Sequence, residues 1–290
     1  MRNYPAAFFG REWQSEDGLW LHYRDYSGGE PGRPPLLCLH GLTRNSSDFA
    51  MLADRFAGEW RLIVPDMRGR GRSEYARWSG SYALHRYVRD VTHLLMEIEP
   101  GPVAIVGTSM GGLIALQMAA GDVWPIAGAL LNDIGPEVEP AGLAHILEHV
   151  GQGGSFETWM HAARHLREMS GAAHPNFELS DWLAMAKRVM SIGASGRIVF
   201  DYDMRIAEPL LQPEEGEPVD LWQGWRALSG KPLTVLRGEL SDLLSETTVE
   251  RMLAEVASAE AVTVPGVGHP PTLAEPEAQD AVARWLERLA

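Results

Sequence analysis

The sequence predicts an α/β fold: a mostly parallel, eight-stranded sheet flanked by helices, with a helical cap inserted into it. Short, continuous apolar runs alternate with longer stretches of helical period, a pattern typical of parallel strands covered on both faces. The alternation stops between about residues 135 and 225 and then resumes. Polar residues that can act as acid, base or nucleophile follow several of the strands.

The opening segment, roughly 8–26, alternates around "EDG" and predicts a hairpin. The predicted strands after it are "LLCLHG", "RLIVPD", "PVAIVGTS", "IAGALLND", "PLTVLRG" and "AVTVPGVGH". Helical spacing predicts helices over 48–57, 82–99, 111–120, 246–257 and 275–289. Residues 1–134 and 226–290 are therefore assigned to the core, and 135–225 to the helical cap.

Composition restricts the function classes. The 290 residues carry a formal net charge of −14, and the densest basic stretch, "MRGRGRS", is short. Nucleic-acid binding is not expected, because it needs a basic surface. No apolar run is long enough to span a bilayer, and the first residues lack the apolar region of a signal peptide. The lone Cys38 is expected to be a buried structural thiol, and the cytoplasm is the expected location.

Residues 107–111, "GTSMG", form a G-x-S-x-G motif directly after a strand and before a helix. In that setting the motif makes a sharp corner that exposes the serine hydroxyl above the sheet. A helix-capping serine would look the same in isolation. The context favours Ser109 as a nucleophile.

A serine nucleophile needs a base and an acid that orients the base. His269 follows the last strand in a Gly- and Pro-rich loop and is the expected base. Asp242, after the preceding strand, is the favoured acid, and it lies between Ser109 and His269 as the expected chain order Ser…Asp…His requires. Asp133 is the alternative acid, and Glu239 is a weaker one.

The oxyanion needs backbone N–H donors, expected from Met110 and from Leu42 in the "HGLT" loop. His40 is expected to support this loop. Arg44 is a possible contact for a substrate carboxylate. "PDMRGRGRS" lacks phosphate-loop spacing, so its Asp66 and arginines are expected to tie neighbouring loops together. No metal-ligand spacing or cofactor motif is present, so no metal or cofactor is expected.

These motifs, in this order, resemble the α/β-hydrolase superfamily, and most closely its capped bacterial esterases, enol-lactonases and carbon–carbon bond hydrolases. The resemblance implies Ser109 as nucleophile, Asp242 as acid, His269 as base and the Leu42 and Met110 amides as oxyanion donors. Related dehalogenases and epoxide hydrolases carry an aspartate where Ser109 stands, which argues against both activities.

The expected function is hydrolysis of a carboxylic ester or lactone of a small, largely apolar molecule through an acyl-enzyme. The alternatives are a C–C bond hydrolase of a β-diketone-like ring-cleavage product, an acyltransferase or perhydrolase, and a ligand-binding receptor without catalysis. Trp159 and Trp182 of the cap are possible substrate contacts. Monomer and homodimer both remain open.

Overall fold

The computed structural model describes residues 5–211 and 219–290. Within these ranges the strands are β1 (Phe9–Gln14), β2 (Trp20–Tyr26), β3 (Leu36–Leu39), β4 (Leu62–Pro65), β5 (Val103–Thr108), β6 (Ile126–Asn132), β7 (Ser155–Phe156), β8 (Met190–Ile192), β9 (Ile198–Phe200), β10 (Leu233–Gly238) and β11 (Ala259–Val264). The α-helices are α1 (Ala50–Phe56), α2 (Leu84–Ile98), α3 (Met110–Ala120), α4 (Pro140–His149), α5 (Trp159–Ser170), α6 (Leu179–Val189), α7 (Glu208–Leu211), α8 (Leu221–Ala227), α9 (Glu246–Glu255) and α10 (Pro276–Glu287).

Eight strands form one sheet in the order β1-β2-β4-β3-β5-β6-β10-β11. β1 pairs with β2, and β2 with β4, in the antiparallel sense; the remaining pairs are parallel. The predicted eight-stranded, mostly parallel sheet is therefore confirmed. Since the parallel strands run in one direction, the residues that follow them gather at one edge, where ligands bind in such sheets.

Both faces of the sheet are buried, which explains the continuous apolar runs. Along β5, Val103 and Ile105 face one hydrophobic cluster, while Ala104 and Val106 face another. The first cluster includes residues of α2, α3, α8 and α9, and the second includes residues of α1 and α10. Across the described ranges, every helix is too short or too polar to span a lipid bilayer.

The segment predicted as a helical cap contains α4–α7, but it is not purely helical. β7, β9 and β8 form a separate three-stranded antiparallel sheet within it. These strands are two or three residues long, too short to show a period of two in the sequence. Residues 212–218 of the predicted cap lie outside the described residues. The bounds at 135 and 225 stay a prediction.

Helix α8 begins within the predicted cap at Leu221, ends beyond the predicted bound at Ala227, and packs on α3 of the core. Gly224 makes this possible, because a Cβ atom there would lie 2.1 Å from the carbonyl oxygen of Leu116. That distance is far below van der Waals contact, so the two helix backbones approach closely only because position 224 has no side chain. This contact anchors the chain where it returns from the cap to β10.

Gly224→Ala tests this contact. In an exposed helix the change would stabilise by about 1 kcal/mol through helix propensity. Here the clash with the backbone of Leu116 outweighs that gain, and we expect a net loss of about 1–3 kcal/mol of unfolding free energy. Urea denaturation of both proteins measures it.

The control is Gln223→Ala, one position away on the exposed side of α8. It should leave the unfolding free energy within about 0.5 kcal/mol of wild type. A stabilised Gly224→Ala variant would contradict close packing of α8 on α3.

Candidate active site

Ser109 lies at the corner between β5 and α3, at the carboxyl edge of the sheet. Its backbone has φ 51° and ψ −117°, a strained conformation for a residue with a side chain. The two glycines beside it allow the corner. A Cβ atom at Gly111 would lie 2.0 Å from the Leu39 oxygen, and one at Gly107 would lie 2.7 Å from the Gly111 oxygen. The strand-turn-helix context predicted from the sequence is present.

Ser109, His269 and a buried carboxylate form a hydrogen-bonded chain. Nδ1 of His269 lies 2.8 Å from Oδ2 of Asp133. Because an aspartate only accepts hydrogen bonds, Nδ1 carries the hydrogen, which leaves Nε2 as an acceptor. Nε2 lies 2.9 Å from Ser109 Oγ, so the hydroxyl donates to it. The histidine loop is also held by the cap, since Gly268 N donates to the Ala173 oxygen at 2.6 Å.

The preference for Asp242 as the acid is wrong in this geometry, and Asp133, the alternative, takes the place beside His269. Asp133 is completely buried and also accepts from Gly238 N at 2.8 Å and Ser241 Oγ at 2.7 Å. Asp242 is half-exposed and pairs instead with His145 of α4. The loop after β10 therefore supplies donors to the acid rather than the acid itself.

Strand order explains why Asp133 is the one that reaches His269. Asp133 directly follows β6. This strand pairs with β5, and β5 ends beside Ser109. Asp242 comes four residues after the end of β10, so the loop carries it out toward the cap. Glu239 accepts from Gly266 N and makes no contact with His269. The signal in the sequence was the immediate position of Asp133 after its strand.

The loop after β3 and the start of α3 hold the two predicted oxyanion donors. Among the described residues, the N–H groups of Leu42 and Met110 donate to no protein acceptor. The buried Arg70 braces both residues: its Nε donates to the Leu42 oxygen at 2.8 Å, and its Nη2 contacts Met110 Sδ at 3.9 Å. The N-terminus of α3 also favours negative charge at this place.

The loop over 65–73 ties neighbouring loops together, as expected. Asp66 accepts from Ser46 N at 2.6 Å and pairs with His22 at 2.8 Å. Arg68 makes a buried pair with Asp90. These bonds hold the loop after β3 against the sheet, which fixes the position of its amides.

His40 supports the same loop as a neutral imidazole. Met67 N donates to its Nε2 at 3.1 Å, so the hydrogen is on Nδ1, which donates to the Gly41 oxygen at 2.7 Å. Complete burial lowers the pKa of His40 to about 4. It is therefore a structural residue, in agreement with the sequence-based expectation.

A cavity of about 400 Å³ opens above Ser109 and His269, large enough for a small molecule. Arg44 lines it, as expected for a possible substrate contact. Trp159 and Trp182 do not line it, so their predicted contact is wrong for this cavity. Trp182 is buried inside the cap against Phe177 and His174. The apolar lining comes largely from other cap residues, including Ile146, Leu166, Met169, Met185, Val189 and Phe200.

Within residues 5–211 and 219–290, no cluster of three or more His, Cys, Asp or Glu side chains is arranged to hold a metal ion. Cys38 is completely buried in β3, and burial raises the pKa of its thiol. Its predicted role as a buried structural thiol is confirmed.

The fold and this edge of the sheet define the class of protein. The chain belongs to the alpha/beta hydrolase family, whose model matches residues 36–285. A 3-hydroxybutyrate-oligomer hydrolase of Cupriavidus necator is 35% identical over 273 residues, which cover 91% of this chain and 92% of that protein. A 2-(acetamidomethylene)succinate hydrolase of Mesorhizobium japonicum is 27% identical over 255 residues, 87% of this chain and 85% of that one.

One solved structure resembles this protein over nearly its whole length. The crystal structure of an alpha/beta hydrolase from Novosphingobium aromaticivorans is 50% identical, with a TM-score of 0.92. The match covers 98% of this chain and 99% of that one. The similarity therefore includes the cap as well as the core.

The two candidate acids can be separated by mutation. We expect Asp133→Asn to lower kcat on the order of 10⁴-fold, since an asparagine cannot stabilise the imidazolium or hold its working tautomer. Asp242→Asn should change kcat by about threefold or less, because an exposed pair with His145 contributes little. Steady-state hydrolysis of a p-nitrophenyl ester measures both, with circular dichroism checking that each variant is folded. A large loss in Asp242→Asn alone would restore the first assignment.

Neutral His40 makes the fold sensitive to acid. In the unfolded chain a histidine titrates near pH 6.5, whereas the pKa of folded His40 is about 4. The unfolded state therefore binds the proton first, and stability falls as the pH drops from about 6.5 to 4, by up to about 1.4 kcal/mol per pH unit for this group. Above pH 6.5 the contribution of His40 to the free energy of unfolding no longer changes with pH. Urea unfolding of wild type and His40→Gln across this range should give a shallower slope in the variant.

The control for this measurement is His161→Gln, which removes an exposed histidine of α5. Its slope should match wild type. An unchanged slope in a folded His40→Gln protein would contradict burial of His40 in the neutral form.

Proposed function

We propose that this protein is a serine hydrolase that cleaves carboxylic esters through an acyl-enzyme on Ser109. The observation that carries the proposal is the hydrogen-bonded chain Asp133–His269–Ser109 at one end of the 400 Å³ cavity. A nucleophile, its base and the orienting acid within hydrogen-bond distance are what such chemistry requires.

The reaction proceeds in two halves. His269 Nε2 takes the proton of Ser109 as Oγ attacks the ester carbonyl, and the Leu42 and Met110 amides stabilise the oxyanion. The C–O bond to the alcohol then breaks, and His269 returns its proton to the departing alcohol. Water attacks the acyl-serine in the same way and gives a proton to His269. The bond between the acyl carbon and Ser109 Oγ then breaks, and His269 returns the proton to Oγ, which releases the acid and free Ser109.

The substrate class we propose is a small ester of a hydroxy acid, such as a short 3-hydroxybutyrate oligomer. Two observations support this choice. The walls of the cavity are mostly apolar, and its volume suits an oligomer of a few hydroxy-acid units. The relative named 3-hydroxybutyrate-oligomer hydrolase aligns over nearly the full length of both chains, cap included.

The lone buried Cys38 suits a reducing compartment such as the cytoplasm, which is the location we propose.

Ser109→Ala tests the proposal. Without the hydroxyl no acyl-enzyme can form, and we expect kcat to fall on the order of 10⁶-fold while the melting temperature stays near wild type. The assay compares a linear 3-hydroxybutyrate dimer, p-nitrophenyl esters, a lactone and a β-diketone ring-cleavage product, with Ser109→Ala as the blank.

A fluorophosphonate supplies the second measurement, since it should add one adduct, located at Ser109 by peptide mass spectrometry. Faster turnover of the diketone than of every ester would favour the C–C hydrolase alternative. A protein that binds these ligands but neither turns them over nor takes the label would be a receptor.

A further inference from the structure

The cavity above Ser109 carries its positive charge at one end. Among the described residues that line it, Arg44 is the one Arg or Lys side chain. The stem of its side chain lies near the nucleophile, since a Cβ atom placed on Gly41 would meet Arg44 Cγ at 3.5 Å and Ser109 Cβ at 3.7 Å. The lining carboxylates, Glu148 and Asp242, belong to α4 and to the loop after β10 instead.

The charge of Arg44 is only partly neutralised. Its Nε lies 3.8 Å from Asp48, and the Nε of Arg188 lies 3.8 Å from the other oxygen of the same carboxylate. Two guanidinium groups thus share one carboxylate. In the part of the chain that the structure describes, neither guanidinium donates a hydrogen bond to a protein atom. The side chains of Arg44 and Arg188 are 19% and 24% exposed, and their guanidinium nitrogens reach solvent, so an anionic ligand can take the place of water on these donors.

The pKa values of two neighbouring groups reflect the positive charge of Arg44. Burial lowers the pKa of Arg188, and the neighbouring Arg44 lowers it as well, against the opposing effects of Asp48, Asp181 and Glu275. Burial also lowers the pKa of His174 to about 4, and Arg44 adds to this effect. Among the described residues, His174 Nδ1 is buried without a hydrogen-bond partner, and the neutral imidazole adds no further positive charge.

The cation is carried on a rigid segment. Asn45, the next residue, donates through Nδ2 to the Arg188 oxygen at 3.0 Å and to Asp201 Oδ2 at 2.9 Å, which ties the loop after β3 to the cap. Ser46 N is held by Asp66. Because the backbone on the C-terminal side of Arg44 is fixed, less conformational freedom is lost when the guanidinium binds an anion.

We propose that Arg44 binds a free carboxylate carried by the ester substrate, so that the enzyme selects monoanionic esters over neutral ones. A guanidinium with unused donors is matched in shape and charge to a carboxylate. The inference rests on the proposed ester hydrolysis at Ser109. In a linear dimer of a hydroxy acid, the free carboxylate belongs to the part that leaves as the alcohol. Arg44 would therefore position the leaving group.

The experiment compares two substrates that differ only in this group: the linear 3-hydroxybutyrate dimer and its terminal amide. Wild type should prefer the carboxylate in kcat/KM. Arg44→Gln should reduce that preference on the order of 10- to 100-fold, the worth of a charged hydrogen bond. Arg44→Lys, which keeps the charge but loses the planar pair of donors, should give an intermediate value. Arg164→Gln removes an exposed charge of α5 and should leave the preference unchanged.

Wild-type inhibition provides a measurement that does not depend on any variant folding. 3-Hydroxybutyrate should inhibit p-nitrophenyl butyrate hydrolysis at a lower concentration than 3-hydroxybutyramide does. Equal inhibition, or an active wild type with no preference between the two dimers, would overturn the role of Arg44 and leave the proposed function standing. A folded wild type that hydrolyses none of the esters and takes no fluorophosphonate label would instead overturn the proposed function.

Discussion

The carboxylate of Asp133 is completely buried at the carboxyl edge of the sheet, and three donors converge on it. An isolated charge in this place would cost several kcal/mol, so the donors are a condition of folding as well as of chemistry. They come from Gly238 at the end of β10, from Ser241 in the loop that follows it, and from His269 in the loop after β11. The buried charge thereby fixes both loops relative to β6. The position of the base above Ser109 is a consequence of that arrangement.

The serine is set by a steric constraint on the other side of the same edge. β3, β5 and α3 approach so closely at Gly111 and Gly107 that side chains at these positions would overlap backbone atoms. The chain turns in the space that remains, and Ser109 takes its strained backbone angles there. Packing of the rigid sheet holds this strain. Hydroxyl and imidazole therefore meet at 2.9 Å because two independent constraints fix their partners.

Much of this could be predicted from the sequence because it depends on local patterns. The alternation of apolar strands and helices predicted the mostly parallel sheet. The glycines around Ser109, after an apolar run, indicated the sharp turn between strand and helix. His269 was recognisable from its loop after the last strand. The acid was not, because Asp133 and Asp242 both follow parallel strands, and the choice depends on which strand pairs with β5. Chain order carries no information on that lateral position.

The cap resisted prediction for a different reason. Its strands are too short to show a period, and tryptophans at helical spacing do not reveal whether they face a cavity or the interior of the cap. Trp182 packs edge-on against Phe177 inside the cap, while methionines and valines line the cavity. Arg44 could be proposed from its place after the oxyanion loop. Its sharing of Asp48 with Arg188 of α6 depends on the tertiary structure and could not be predicted from the sequence.

The bond from Gly268 N to the Ala173 oxygen has a consequence for how molecules enter. Gly268 precedes the base, and a Cβ atom on it would lie 2.9 Å from Ala173 Cα, so cap and histidine loop are in direct backbone contact. Displacing this part of the cap would also displace the imidazole. If a molecule is too bulky to enter without that displacement, His269 is no longer in position to accept the proton of Ser109. On the proposed mechanism, the tie makes substrate size a criterion for turnover, because an ester that displaces this part of the cap also displaces the imidazole.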